Sequence, residues 1–455
     1  MTGVWVSGAP ADALKGSAQR RDGRRHVARS LVDRVFRSRV ARQFGALTAA
    51  RMAAAALSFV WLAVATRFLS VTEFADLALL LTVGAIMSVL ADGGLPIILN
   101  EALAAEPSRG RATLVLVLRR RMPLTIVGAA AMAALFLLAA SEARPLIPVL
   151  FAGSMLASSW YTSCSAALRG AVSVVPEAVN ETLSRLFVLV LGTILVARGA
   201  GLLGAVATYV AADVLSAFGL TVVAWRRLSP NEPADPSDFR MSRVLPLGAA
   251  AVAGVLYYRI DVWLLAIVSQ AGEVARYTVS YRIIDVLILP AGALAVVTIG
   301  SLARLDDRAA VRRADRMAGI LCLGVLPAVV VLLVVPGPLL EFAFGANYRS
   351  GATVLRILAL AVLPSVAALV WGPLVALRHR GLLGVTLLSL TVNVALNLAL
   401  IPHIGARGAA VVTFVGQLAY AALLRLLLVG LVRRDAALPT GAVSGLPNKM
   451  HAARS

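Results

Sequence analysis

The stretch "VLYYRIDVWLLAIV", residues 255–268, is apolar apart from Arg259 and Asp261 and the phenol ends of its tyrosines. With its apolar flanks it is long enough to belong to a bilayer-crossing helix, which takes about 20 such residues for about 30 Å of hydrocarbon. Ionisable groups at that depth are costly and face a cavity or the bundle interior. The two charges cannot serve each other, because residues two apart on a helix point to different sides. Each needs its own partner, cavity or ligand.

The rest of the chain has the same character. Its 455 residues are 60% hydrophobic and 15% charged, against about half and about a quarter in soluble domains. The apolar residues come in runs of roughly 18 to 24, the length of membrane helices, and not in the short alternating segments of a β-barrel. The fold class expected is therefore an all-α polytopic membrane protein. The formal charge of +20 falls in tails and loops between the runs. That is the pattern of the positive-inside rule, and it argues against a nucleic-acid partner. Cys164 and Cys322 lie inside predicted spans, which disfavours a structural disulfide. The histidines have no metal-ligand spacing. No Walker A loop, GxGxxG, HExxH or GxSxG is present, so no cofactor and no soluble-enzyme chemistry is expected.

Twelve spans are read, at roughly 47–67, 74–91, 122–140, 146–168, 179–197, 202–224, 245–267, 275–302, 317–336, 353–376, 382–401 and 406–431. They divide the chain into a basic tail (1–43), an N-lobe of spans 1–6 (44–227), a polar linker rich in Pro and Asp (228–242), a C-lobe of spans 7–12 (243–431) and a disordered tail (432–455). Residues 25–44 in the first tail suit a basic amphipathic helix on a membrane surface. Residues 1–43 lack the compact apolar core and small-residue cleavage site of a signal peptide. Arginine and lysine number ten in the N-terminal tail, five after span 2, four in the linker and five after span 8; the alternate loops have about one each. Both termini are therefore expected to face the cytoplasm.

The halves look like repeats. Trp61 and Glu73 in "WLAVATRFLSVTEFADLALL" (61–80) match Trp263 and Glu273 in "WLLAIVSQAGEVARYTVSY" (263–281). Gly201 and Gly204 match Gly405 and Gly408. The offsets agree at about 200 to 204 residues. Six spans per half insert in the same sense, which predicts two lobes related by an axis along the membrane normal, with a site between them.

The intramembrane polar residues are the candidates for that site. Arg259 and Asp261 lie in span 7. Span 8 adds Arg276, Arg282 and Asp285, and Arg282 and Asp285 are three apart and able to pair. Tyr277, Tyr281 and Asp285 follow at i, i+4 and i+8, a stripe suited to stacking on and hydrogen-bonding a sugar. Glu181 reaches Arg185 one turn along span 5, Arg51 lies a turn inside span 1, and Asn393 and Asn397 share a face of span 11. Each has a plainer reading. Arg51 and Arg276 sit near span ends and are placed to snorkel. The acid–arginine pairs serve equally as structural ion pairs, and the asparagines as interhelical hydrogen-bond glue.

Taken in order, "GLPIILNEALA" (94–104), "ALRGAVSVVPEAVNETLSRLFVLVLG" (167–192), "YYRIDVWLLAIVSQAGEVARYTVSYRIID" (257–285), "FGANYRSGATVLRILAL" (344–360) and "NVALNLALIPHIGARGAAVVTFVGQ" (393–417) resemble the polysaccharide-biosynthesis flippases. These belong to the multidrug/oligosaccharidyl-lipid/polysaccharide exporter superfamily. The resemblance covers roughly residues 44–431 and rests on the order and spacing of the segments rather than on one motif. It implies a two-lobed, MATE-like transporter of twelve helices working by alternating access. It also implies a cationic cavity that receives a polyprenyl-diphosphate-linked oligosaccharide. Membrane lipids are further partners, as are a polysaccharide polymerase and chain-length machinery; the pathways implied are O-antigen, lipopolysaccharide or exopolysaccharide synthesis. Arg51, Arg185, Arg259, Arg282, Tyr277, Tyr281, Asn393 and Asn397 are then the substrate-binding set, and Asp261, Asp285 and Glu181 the ion-coupling set. The alternatives are a small-molecule antiporter of the same fold, disfavoured by an arginine and no acid in span 1, and a glycan polymerase or ligase, disfavoured by external loops under about 20 residues.

Overall fold

The computed structural model describes residues 39–437 except 140–144, 231, 303–304 and 380. Among these residues the chain is all helical. The N-terminal half contains α1 (Arg39–Phe68), α2 (Val71–Asp92), α3 (Leu95–Ala105), α4 (Gly110–Ala139), α5 (Leu146–Ala171), α6 (Val175–Ala197) and α7 (Gly201–Arg227). The C-terminal half contains α8 (Met241–Val268), α9 (Ala271–Leu302), α10 (Asp307–Val334), α11 (Pro336–Phe344), α12 (Ala352–Arg378) and α13 (Leu382–Ala437). The surface helix expected at 25–44 lies outside the described residues apart from its last turns, which open α1. The expected tail from 432 begins inside α13, and its remainder from 438 is also outside them.

Ten described stretches are long and apolar enough to cross a membrane. One of them, Leu382–Arg433, is two helices in series, broken at Gly405 where φ is 54° and ψ −134°. The 26-residue α5 is not among the ten. Counted with that break and with α5, the spans are the twelve of two six-helix lobes. α5 is less apolar for a physical reason: it supplies the hydrogen-bond partners inside the N-lobe. The guanidinium of Arg121, only 1% exposed, donates to Ser159 O at 2.7 Å and Ser163 Oγ at 2.8 Å and pairs with Asp92. Trp160 Nε1 donates to Thr221 Oγ1 at 2.8 Å, and Ser154 to Asp213. Arg121, counted in a loop on sequence, sits inside α4, because that helix already starts at Gly110.

The two halves share a construction device. Glu73 begins α2 with a reciprocal capping box to Ser70, and its Oε1 also accepts the N–H of Leu202 at 3.2 Å, at the start of α7. In the second half Glu273 Oε2 accepts the N–H of Ala406 at 2.9 Å, at the start of the second part of α13. Each acid faces a glycine with positive φ, 55° at Gly201 and 54° at Gly405. A carboxylate there satisfies helix-start donors and meets the positive end of the helix dipole. A Cβ on Gly201 would lie 2.6 Å from Glu73 Oε1, and one on Gly405 3.0 Å from Glu273 Oε2. Glycine is needed for space as well as for conformation.

Packing distinguishes the two ends of the bundle. One end carries the arginine-rich starts of α4 and α10 and the 228–240 linker; the other is arginine-poor. At the arginine-poor end a single apolar core runs through both lobes, from Trp61, Phe74 and Leu77 to Leu265, Tyr277, Phe344 and Leu358. At the basic end the core is split. One cluster, around Ile98, Leu99, Val117 and Leu220, belongs largely to the N-lobe, and another, around Ala310, Leu374 and Leu424, belongs to the C-lobe. The apolar core is thus continuous at one end, the fused one, and divided at the other, the parted one, where α8 still touches the N-lobe.

A cap from the C-lobe seals the fused end. α11 and the 3-10 turn Ala346–Gly351 bring Phe344 edge-on to Phe59 at 5.5 Å and Tyr348 edge-on to Phe74 at 5.9 Å. Arg67 Nη2 donates to Phe342 O at 2.8 Å. All three contacts cross from lobe to lobe.

The linker is not free. Leu228 and Phe239 are 2% and 4% exposed and belong to the N-lobe cluster. The N–H of Arg111 donates to Ser229 O at 3.0 Å, and Arg109 stands 3.6 Å from Glu232 and 3.8 Å from Asp235. Just beyond it α8 packs Val244 and Leu247 on the N-lobe cluster, and at Gly248 backbone meets backbone. A Cβ on Gly248 would fall 2.5 Å from Gly93 O.

Candidate functional site

A cavity of about 660 Å³ occupies the parting between the lobes. The N-lobe lines it with α1 (Thr48, Arg51, Met52, Ala55, Ser58) and α6 (Glu181, Arg185). The C-lobe contributes Tyr258 and Arg259 from α8, Tyr281, Arg282 and Asp285 from α9, and Leu358, Ser365 and Leu369 from α12. Four arginines face two acids, so the lining is cationic.

These side chains converge because of where the sequence breaks its apolar pattern. Arg259 lies more than halfway along α8, and α9 runs back antiparallel after a two-residue turn at Ser269 and Gln270. That brings residues 281–285 level with 258–259. Arg259 Nη2 stands 3.4 Å from Asp285 Oδ2, and its guanidinium carbon lies 5.7 Å from the centre of the Tyr281 ring. Arg282 Nη1 stands 3.5 Å from the same Asp285 oxygen. Asp261 points the other way, as its spacing required. It is 5% exposed, accepts from Tyr277 Oη, takes the N–H of Val262 at 2.8 Å and lies 3.5 Å from Thr413 Oγ1. The two charges of the opening stretch therefore have separate partners: one at the cavity wall, one behind it.

Of the residues singled out on sequence, the structure brings Arg51, Arg185, Arg259, Arg282, Tyr281, Glu181 and Asp285 to one cavity. It leaves Tyr277, Asn393, Asn397 and Asp261 off the lining. Tyr277 is fully buried, with its hydroxyl on Asp261 and 2.9 Å from Thr413 Oγ1. Asn397 Nδ2 donates to Asn393 Oδ1 at 2.9 Å and to Asn393 O at 3.0 Å. The stripe through Tyr277, Tyr281 and Asp285 drifts about 40° per i+4 step because 3.6 residues make a turn, and Tyr277 lies nearer the fused end. Glu181 and Arg185 form no ion pair or side-chain hydrogen bond among the described residues. Arg51 reaches Glu177 at 3.6 Å, and Glu177 is also held by Arg169 at 2.9 Å.

Two residues were missed on sequence, one on the cavity wall and one inside the N-lobe. Tyr258 lines the cavity, yet next to Arg259 it drew no notice. Asp213, an isolated acid in the apolar run "YVAADVLSAF" (209–218), accepts from Ser154 inside the N-lobe. Its depth in the run was the signal. No group of His, Cys, Asp and Glu suited to a metal ion occurs among the described residues.

Chemically, the arrangement suits an anion with several oxygens. Guanidiniums fit phosphate bidentately, Tyr258 and Tyr281 offer aromatic faces and hydroxyls, and the apolar part of the lining accepts hydrocarbon.

Comparison with known proteins is consistent with this geometry. The family described as "Polysaccharide biosynthesis protein" matches residues 40–299. Among solved structures, the lipid II flippase MurJ in an inward closed conformation is similar with a TM-score of 0.70 and 12% identity, over 85% of this chain and 87% of that one. An inward-facing MATE multidrug resistance transporter gives 0.66 and 15%, over 85% and 96%. A transporter of the same superfamily from Pyrococcus furiosus, described as having a binding pocket of reverse polarity, gives 0.62 and 16%, over 88% and 97%. At such identities the likeness speaks for the fold. No curated protein matches the sequence.

Proposed function

The chain belongs to the polysaccharide biosynthesis protein family, and from that premise we propose that it is a flippase carrying a polyprenyl-diphosphate-linked oligosaccharide from the cytoplasmic to the outer leaflet. The observation that carries this is the cavity between the lobes, lined by Arg51, Arg185, Arg259 and Arg282. A desolvated guanidinium holds a phosphate more strongly than it would in water. The tyrosines sit beside the arginines, where the first sugar of a head group would follow the diphosphate. Met52 and Val286, each 41% exposed, flank the cavity on α1 and α9 and offer an apolar side through which a lipid tail can trail into the bilayer.

The arginine-rich end faces the cytoplasm in this reading, with both termini there, in accord with the positive-inside rule. The split core then opens the cavity inward, and the α11 cap closes it outward. Alternating access separates the fused end and joins the parted one. Coupling to an ion falls to Glu181 and Asp285 on the lining and Asp261 behind it. A small-molecule antiporter is less well supported: the cavity's cations outnumber its acids, and an arginine stands in the first span.

The test is a deletion strain of the source organism whose lipid-linked sugars are extracted and identified. A complete repeat unit should accumulate on the polyprenyl carrier, shielded from an external glycosidase. Complementation by Arg259→Ala should fail although the protein inserts, and Arg259→Lys should restore part of the flux, since it keeps the charge and loses the bidentate fork. Normal flux through Arg259→Ala refutes the cavity assignment. An unchanged lipid-linked pool with altered drug tolerance points to an exporter, and assembled but externally exposed units to a polymerase or ligase.

A further inference from the structure

Asp285 projects into the cavity with its side chain 34% exposed, and one oxygen, Oδ2, is shared between two guanidiniums at 3.4 and 3.5 Å. These separations are long for charge-assisted hydrogen bonds, which close to about 2.7–2.9 Å. Neither arginine is saturated, because a guanidinium offers five N–H donors. Arg282 Nε is buried without a partner, and Arg259 otherwise rests over the Tyr281 ring. Arg185 faces the same space from the other lobe and makes no ion pair among the described residues. Two arginines thus share one carboxylate that engages both only loosely, while Arg185 and Glu181 line the same cavity from the other lobe.

Loose engagement has a physical sense. Two guanidiniums side by side in a largely apolar cavity repel each other and need a counter-charge when no ligand is present. A carboxylate clamped in ideal geometry would supply it but would resist replacement. Asp285 supplies the charge while leaving the donors unfilled. A diphosphate has more charge and more acceptor oxygens than one carboxylate, so it wins the arginines.

Resting on the cavity reading above, we propose that Asp285 is an internal stand-in for the substrate's phosphates. It holds Arg259 and Arg282 while the cavity is empty, is displaced when the diphosphate of a lipid-linked sugar enters, and competes for the arginines again to expel that diphosphate after the lobes rock. The carboxylate is then a specificity element. Only an anion richer in oxygens than Asp285 itself displaces it, so monocarboxylates and neutral ligands are rejected.

The stand-in and a purely structural ion pair predict opposite signs. The full chain would be purified in detergent and titrated with farnesyl diphosphate, a short polyprenyl diphosphate. Asp285→Asn removes the competitor at constant volume, and binding should tighten at least about tenfold, or about 1.4 kcal/mol. Asp285→Glu keeps the charge on a longer arm that closes the 3.4 and 3.5 Å gaps, and binding should weaken several-fold. This second variant retains the ion pairs, so it decides the matter even if Asp285→Asn does not fold. Weaker or unchanged binding by folded Asp285→Asn, or binding by Asp285→Glu as tight as wild type, overturns the stand-in. Arg259→Ala separates the two levels. If it binds more weakly than wild type while Asp285→Asn shows no gain, the cavity reading stands and only the stand-in fails. If farnesyl diphosphate binds none of the proteins, or all of them alike, the cavity reading fails and takes this inference with it.

Discussion

Replacing Gly405 by alanine tests the repeated helix-start device at one atom. At φ 54° and ψ −134° the residue sits where side-chain-bearing residues are strained by about 1–3 kcal/mol. The new Cβ would also lie 3.0, 3.1 and 3.2 Å from Oε2, Cδ and Cγ of Glu273. Glu273 has little room to retreat without releasing the Ala406 N–H, and a buried donor left unsatisfied costs about 1–3 kcal/mol. The two costs share one relaxation and do not add fully, so a loss of about 2–4 kcal/mol is expected. Heat unfolding of the detergent-purified chain, followed by tryptophan fluorescence at one fixed scan rate, reads this as a lowered apparent midpoint. Gly384→Ala, in the same helix with nothing within 4 Å of the added Cβ, is the control. It should be neutral or slightly stabilising, as glycine inside a helix costs about 0.5–1 kcal/mol relative to alanine. A Gly405→Ala midpoint equal to the control's refutes the strain argument. If Gly201→Ala is silent while Gly405→Ala is not, the halves are not built alike.

Two other perturbations address the lobes and their closure. Arg121→Ala leaves Asp92 without its buried partner, a loss of about 3–5 kcal/mol, and should abolish monodisperse protein on size exclusion; normal yield and stability would show the network to be dispensable. Arg67→Ala removes the bond to Phe342 O and should loosen the cap. In a variant carrying Ser365→Cys at the cavity wall, a membrane-impermeant maleimide added from outside should then react several-fold faster than with the cap intact, and an unchanged rate would place the closure elsewhere.

Most of the fold could be read because membrane helices state their length in hydrophobicity. Even α5, too rich in serine and threonine to stand with the more apolar spans, was found between its neighbours. The repeat was legible through Glu73, Glu273 and their glycines, whose role is local and chemical. The site was legible only in part. A charge inside a span announces a cavity or a partner, and Arg259 has both, but the pattern does not say on which side of its helix either lies. Tyr277 and Tyr281 look equivalent on a helical wheel, and burial at the fused end separates them. Asn397 donates to Asn393 and keeps its own Oδ1 buried without a hydrogen-bond partner, which a single sequence does not distinguish from ligand binding. Arg121 was hidden by a boundary: once a helix is taken to begin at 122, its preceding arginines read as solvated.

The linker has a mechanical consequence. Its composition reads as a slack tether, but Leu228 and Phe239 fasten it at both ends to the N-lobe. What remains free before α8 is a joint of one or two residues at Arg240, where the backbone is still extended. A joint that short lets two bodies pivot and keeps them from drifting apart. Tolerance to lengthening should therefore be uneven along 228–242. Residues inserted near Pro233 would bulge harmlessly from a strap pinned on either side, whereas the same residues inserted at Arg240 would uncouple the swing of one lobe from the position of the other.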